Sequence, residues 1–273
     1  MKVLLVATVQ SHICQFHRPL VAMLHEHGCE VHVAARNNLA EKNGLKLDFV
    51  ERVFDVPFQR SPFSPKNLGA YKQLKKIIGE GSYDVIHCNT PVGGVVGRLA
   101  ARKSRKRGTK VFYTAHGFHF YKGAPKKNWL IWYPVEKFMC RHTDKLITIT
   151  QEDYDLASAK FPTQVERIHG VGANSAKYHK LSEAECAALR CELGYAEGEK
   201  ILLCTGELLP NKNQITAIRA MKTLIEHQQS YCWQVMVQHC RNYKQRLPHL
   251  NCKAMWSFLA IALIWSDMPI SRM

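Results

Sequence analysis

The sequence predicts an α/β protein: a doubly wound, Rossmann-like parallel sheet as an N-terminal domain, followed by the start of a second Rossmann-like domain. Three observations predict it. Short β-branched runs alternate with helical stretches from Lys2 to His169, the order that builds βαβ units and a parallel sheet. The strand runs are nearly continuous in apolar residues, as strands covered on both faces are. After a polar, Ala/Glu-rich stretch at 171–199, a new strand–loop–helix unit begins at Lys200. The expected divisions are therefore 1–170 for the first domain, 171–199 as linker, 200–229 as the first βα unit of a second domain, and 230–273 as a tail of different character.

Taken in order, Val3–Val9 is the first strand. Its start looks like a signal peptide, but the apolar run is short and Gln10-Ser11-His12 follows without a small-residue cleavage site. Phe16 to His27 reads as a helix with apolar Leu20, Val21, Met23 and Leu24, stopped by Gly28 in the C-capping position. Glu30–Ala35 is the second strand, completing a βαβ unit whose crossover should be right-handed. Val50–Phe58 reads as a third strand, ending in the Ser61-Pro62-Phe63-Ser64-Pro65 turn segment, and Lys66–Ile78 as a helix. Asp84–Asn89 is a fourth strand, followed by Thr90-Pro91 and the small-residue helix start Val92–Ala100. Its glycines either free backbone amides for an anion or let the helix press against the sheet. The five cations of Arg102–Arg107 suit a helix C-terminus and need not mark a binding patch.

Thr109–Gly123 is the stretch of most chemical interest. A β-branched and aromatic strand ends at His116-Gly117, where ligands of open α/β sheets collect. A histidine there either works on a ligand near neutral pH or orders its own loop by hydrogen bonding. Asn128–Arg141 follows as helix, Lys145–Thr150 as strand, Gln151–Phe161 as helix and Val165–His169 as the last strand of the first domain. Ser182–Leu193 is a helix opened by a Ser182/Glu185 capping box. Lys200–Gly206, the Pro210-Asn211-Lys212-Asn213 segment and a helix from Gln214 to His227 make the βα unit of the second domain.

At 273 residues the chain can bury a large core. Its 46% hydrophobic and 22% charged residues are ordinary for a globular protein, whereas its net charge of +16 implies an anionic partner: nucleic acid, lipid surface or phosphorylated substrate. No nucleic-acid recognition motif accompanies the charge. The ten cysteines show no C-x-x-C spacing and several lie in apolar runs, which fits reduced core cysteines in a reducing cytoplasm. The fourteen histidines form no metal-ligand pattern, so no metal is expected. Phe258–Trp265, the longest late apolar run, is too short to span a bilayer.

The ordered set Ser11-His12-Ile13…Phe16-His17, Val31–Ala35, Ile86–Gly94, Thr114–Ala124, Tyr133–Lys137, Ile147–Tyr154 and Gly206-Glu207-Leu208…Asn211-Lys212-Asn213 resembles the family-4 glycosyltransferases, most of all the bacterial members that build capsular and exopolysaccharide units. The resemblance covers most of residues 1–227. It implies two Rossmann-like domains facing a cleft, and a retaining transfer from a nucleotide-diphosphate sugar to a hydroxyl, with no cofactor or obligatory metal. The acceptor, commonly a lipid-linked saccharide, would lie on the N-terminal domain and the donor on the C-terminal one. His116 matches the family histidine that contacts the transferred sugar and stabilises an oxocarbenium-like transition state. Lys212 matches the lysine that neutralises the donor diphosphate, with Gly206 and Glu207 beside it; many relatives carry arginine where Glu207 stands. Gln10, Ser11 and His12, in a loop replacing a glycine-rich one, are candidate cleft contacts together with His17, Asn89 and His119.

Residues 231–273 hold no glycine and one acid, Asp267, yet three of the five tryptophans and four of the eight methionines. A family-like continuation with a Glu-x7-Glu element is missing there, so the expectation is a truncated frame with an aberrant tail. The chain is then either an active glycosyltransferase of cell-surface polysaccharide synthesis or a non-catalytic acceptor-binding remnant or subunit. A sugar-nucleotide epimerase would share the architecture but not these motifs. Lys126–Pro134 mixes cations with interfacial aromatics, which suits either docking on an anionic membrane or a core helix. The expected location is cytoplasmic, or peripheral at the inner face of the membrane.

Overall fold

A computed structural model describes residues 1–42, 45–170, 180–195, 200–205, 212–217, 219–220 and 231–236. The chain divides into two compact units, Met1–Gly172 and Ala173–Met273. In the first, seven parallel strands form one sheet: β1 (Lys2–Val9), β2 (Glu30–Arg36), β3 (Arg52–Asp55), β4 (Val85–Asn89), β5 (Lys110–Ala115), β6 (Lys145–Thr148) and β7 (Gln164–Arg167). Their order is β3-β2-β1-β4-β5-β6-β7, the Rossmann arrangement, in which strand order reverses between β1 and β4. Every neighbouring pair is parallel, with registers such as Val3↔Val85 and Cys88↔Tyr113.

Both faces of β1 are buried. Leu4 and Val6 join a core with Phe58, Leu74, Ile86 and Val111, while Val3, Leu5 and Ala7 join a second with Ile13, Val21 and Val33. The alternation of a strand splits one apolar run between two cores, and helices cover each.

Among the described residues six α-helices surround this sheet: α1 (Gln10–Phe16), α2 (Arg18–Glu26), α3 (Asn67–Gly81), α4 (Pro91–Arg105), α5 (Lys126–Cys140) and α6 (Gln151–Lys160). The helix expected over Phe16–His27 is α2, which starts two residues later at Arg18, and the shorter α1 precedes it. Pro19 lacks an N–H and its ring clashes with the preceding turn, so the chain breaks at His17 and restarts with Pro19 in the first turn of α2. The segment expected as a loop at Gln10–His12 is the first turn of α1, directly after β1. The third strand is shorter than expected, four residues in place of Val50–Phe58.

The glycines at the start of α4 serve close approach. A Cβ on Gly93 would lie 3.0 Å from the Ala7 backbone, one on Gly94 2.5 Å from the Tyr113 ring, and one on Gly97 2.6 Å from Cys88 Sγ. Of the two uses open to them, tight helix–sheet packing is the one seen. Beneath α4 lies an ion pair: Arg98, fully buried, donates from Nη2 to both Glu136 oxygens at 3.2 and 2.9 Å and stacks 3.9 Å over the Tyr113 ring. Thus α4, α5 and β5 are locked together through one guanidinium.

In the second unit, α7 (Glu183–Glu192) carries the Ser182/Glu185 capping box. The strand β8 (Lys200–Thr205) pairs in parallel with β9 (Tyr231–Met236), in register from Lys200↔Tyr231 to Thr205↔Met236. β9 falls at the head of the segment expected to depart from the pattern. Missing glycines remove turn signals but not strand propensity, and Tyr231, Trp233 and Val235 favour a strand.

Candidate active site

The site is built where β1, β4 and β5 end, at the reversal of strand order. β1 runs straight into α1, which presents His12 and Phe16; the break after α1 presents His17; β4 contributes His87 and Asn89; β5 delivers His116. The four imidazoles cluster. His12 meets His116 edge-on at 4.7 Å between ring centroids and lies 5.3 Å from His17, which lies 6.0 Å from His87. Phe16 packs against His12 at 4.9 Å with the rings tilted by 54°.

Two of these rings are held by the sheet. His17 Nε2 and Asn89 Oδ1 are 3.0 Å apart, and His87 Nε2 is 2.8 Å from Thr114 Oγ1 on the neighbouring strand. Three ring nitrogens, His12 Nε2, His17 Nδ1 and His116 Nε2, are buried without a hydrogen-bond partner. Such groups carry a desolvation cost unless a ligand or water satisfies them. Burial comes first in shifting all four rings toward neutrality. It pushes His12 down to about 3, aided by His116, His17 and His87, and pushes His87 down to about 3, aided by His17 and His116. Burial also lowers His17, against the opposing hydrogen bond to Asn89, and lowers His116, aided by His17. At neutral pH the cluster is therefore a set of uncharged hydrogen-bonding rings. His116 is poorly suited to bind by charge or to hold a proton, and well suited to bond a hydroxyl.

The loop that carries His116 is pinned from two sides. Gly117 sits at φ 106°, a conformation that favours glycine, and releases the chain from β5. Asp153 Oδ2 accepts from the Phe118 N–H at 3.3 Å and Glu152 Oε1 from the Lys122 N–H at 2.6 Å, both from the start of α6. Thr150 caps that helix by accepting from the Asp153 N–H. Burial raises the Asp153 carboxyl above its ordinary value. From α5, Asn128 Nδ2 donates to the His119 carbonyl at 2.8 Å.

The remaining sequence-derived candidates separate into classes. Gln10 and Ser11 are buried in α1 with protein partners: Gln10 Nε2 donates to Ala35 O at 3.4 Å, and Ser11 exchanges hydrogen bonds with Asn38 at 3.1 and 2.9 Å. They lie in the first turn of α1, where a loop was expected, and their hydrogen bonds hold that helix to β2 and the segment after it. Asn89 is fully buried and its Oδ1 lies 3.0 Å from His17 Nε2, which orients that ring. His119 stands outside the cluster, exposed, 5.2 Å from the Trp132 ring. In the second unit Lys212 is exposed, just before a helix whose residues 214–217 are described, and Gly206 and Glu207 lie outside the described residues. Among the described residues no group of three or more His, Cys, Asp or Glu is arranged to hold a metal ion.

His87 and Glu136 are residues the sequence reading did not single out for the site. Each had a signal: a polar side chain inside an apolar strand run, and a carboxylate in a helix otherwise rich in aromatics.

Residues 2–150 match the profile of the glycosyl transferase 4-like family. The chain is 48% identical over 227 residues to "Putative glycosyltransferase EpsD" of Bacillus subtilis (strain 168), covering 82% of this chain and 58% of that protein. It is 27% identical over 197 residues to the UDP-Gal:alpha-D-GlcNAc-diphosphoundecaprenol alpha-1,3-galactosyltransferase of Escherichia coli, covering 70% and 50%. The chain spans about half the length of the curated relatives it matches. Among solved structures, a glycosyltransferase from Rickettsia africae ESF-5 superposes with a TM-score of 0.62 at 13% identity, over 88% of this chain and 61% of that one, a likeness of fold. With a family profile spanning the whole region that builds β1 to β6 and the histidine cluster, the chain belongs to the glycosyl transferase 4-like family.

Proposed function

We propose that this protein is a glycosyltransferase of cell-surface polysaccharide synthesis, moving a sugar from a nucleotide-diphosphate sugar to a saccharide acceptor carried on a lipid. The observation that carries the reading is His116 at the end of β5, with a buried Nε2 left without a protein partner, in a chain of this family. The similarity to a relative named for transfer onto a diphosphoundecaprenol-linked sugar supports the lipid-linked acceptor.

In this reading the neutral His116 ring bonds a hydroxyl of the transferred sugar and steadies the developing positive charge at its anomeric carbon through that bond. The departing diphosphate takes the acceptor's proton as the acceptor oxygen bonds to the anomeric carbon from the face the diphosphate leaves, and the configuration is retained. Lys212 neutralises the diphosphate as charge grows on it, the usual role of a fixed cation at a leaving group. No cofactor enters the scheme.

The protein works in the cytoplasm, at the inner face of the membrane. No helix among the described residues is long and apolar enough to cross a bilayer. Support for surface docking comes from α5, where Leu130 is 80% exposed and Ile131 and Phe138 are exposed, with Lys126 and Lys127 in the first turn. Against a pure docking role, Trp129, Trp132 and Tyr133 pack on the core. Flotation with anionic and neutral vesicles decides: equal recovery with both removes the membrane partner.

The test of function is release of nucleoside diphosphate by the full chain from a panel of nucleotide sugars, with and without a lipid-linked saccharide. Turnover that disappears in His116→Ala, and a raised KM for the donor in Lys212→Ala, are expected. Binding of acceptor with no turnover in any combination replaces this reading with a non-catalytic, acceptor-binding one.

A further inference from the structure

Two adjoining cavities open beside the histidine cluster. One, of about 250 Å³, is lined by His116, Glu136, Tyr113, Phe118 and Trp132 among others. The second, of about 280 Å³, is lined by Arg60, Thr8, Thr90 and Val92. They share Pro62, Pro91, His119 and Trp132, so they form one groove with two chemically different ends.

We propose that this groove seats the acceptor saccharide in a fixed direction: sugar ring against Trp132 and His119, reacting hydroxyl toward His116, and an anionic phosphate at its reducing end against Arg60. The inference rests on the transfer reading above and adds which residues take the acceptor and which way round it lies.

Three features carry it. The middle of the groove is aromatic, with the His119 and Trp132 rings 5.2 Å apart at 34°, and Phe63 supports Trp132 at 6.0 Å from outside the lining. A partly wet aromatic ring such as Trp132 suits the apolar face of a pyranose, leaving its hydroxyls free to bond around the edge. The end holding His116 offers hydrogen bonds without net charge. Glu136 lines it with its charge paired by Arg98, and burial holds His116 neutral. That end accepts hydroxyls and gives nothing to an anion.

The other end differs in one decisive side chain. Arg60 is exposed on the rim and has no ion-pair or hydrogen-bond partner among the described residues. A planar guanidinium of this kind binds phosphate with two parallel hydrogen bonds. Joined, cavities of about 250 and 280 Å³ leave room for a sugar ring at one end and its phosphate at the other.

The experiment uses the full chain and a panel of hexose and N-acetylhexosamine 1-phosphates, their methyl glycosides, and inorganic phosphate. Saturation-transfer NMR and tryptophan fluorescence report binding. At least one sugar phosphate is expected to bind, with Arg60→Ala weakening it tenfold or more while leaving the matching methyl glycoside within twofold. Arg60→Lys should recover part of the loss, and Trp132→Leu should weaken sugar phosphate and glycoside alike. Inorganic phosphate binding as well as the sugar phosphates, no binding by any member of the panel, or binding indifferent to Arg60→Ala and Trp132→Leu each overturns the proposal. In the last case, turnover still lost in His116→Ala leaves the transfer reading standing and removes only the groove. Arg60-dependent binding in a protein without turnover does the reverse.

Discussion

Replacing Arg98 with leucine should cost this fold more than any surface change. Arg98 is fully exposed to protein and not at all to water, and Glu136 faces it at 2.9 Å with little exposure of its own. Removing the guanidinium strands a carboxylate among Tyr113, Cys140 and the α4 backbone, and one-sided loss of a buried pair costs about 3–5 kcal/mol. The variant also loses stacking over Tyr113, a desolvated cation–π contact worth about 2 kcal/mol, which leucine repacking partly offsets. With a urea dependence of about 1–3 kcal/mol per molar, the midpoint falls by at least about 1 M. Urea unfolding followed by far-UV circular dichroism measures this. Glu136→Leu strands the guanidinium and behaves similarly, whereas the double variant removes both charges together. Its loss should fall short of the sum of the singles by about 2–3 kcal/mol, the scale of coupling between contacting groups. Additive losses would refute the reasoning, as would an Arg98→Leu protein within about 1 kcal/mol of the parent.

The histidine cluster makes stability depend on pH in a defined sense. His12 and His87 ionise near 3 when folded and near 6.5 when unfolded, so between those values the unfolded chain binds more protons. Stability is thus full above pH 6.5 and falls as pH drops toward 3, by up to about 1.4 kcal/mol per pH unit for each ring. Thermal unfolding from pH 8 to 4 should show a shallower slope in His12→Phe, and an unchanged slope removes the claim. Gly94→Ala drives a Cβ to 2.5 Å from the Tyr113 ring, over which Arg98 already stacks; overpacking should cost about 1–3 kcal/mol, read as a lowered Tm. Asp153→Ala frees the Phe118 N–H and should speed amide exchange across residues 117–122 while β4 stays protected; equal exchange in both proteins contradicts the pinning role.

Much of the site's address could be read from residue order. A β-branched run ending in His116-Gly117 announces a strand end, and strand ends are where such sheets bind ligands, because helix starts and free backbone gather there. His12 and His17 stood out for the same reason, as polar residues just past the first strand. Gln10, Ser11 and Asn89 show what residue order leaves out. Each is a polar residue at a strand end, and only packing shows whether it faces ligand or protein. Here Ser11 and Asn38 satisfy one another from segments 27 residues apart, and Asn89 is taken by His17 across 72.

By itself the sequence determined the doubly wound class, the succession of its elements and the position of His116, since these follow from local periodicity, turn residues and caps. It left open what the glycines of α4 were for, and tertiary packing decided that, by bringing Ala7, Tyr113 and Cys88 within reach of the missing Cβ atoms. Packing alone also joined Arg98 to Glu136, gathered four histidines from three strand ends, and set Trp132 beside Arg60 in one groove. The physical reason is the same throughout. Backbone preference acts over a few neighbouring residues, whereas the charge state of a ring or the partner of a buried ion depends on groups brought close only after the sheet has closed around them.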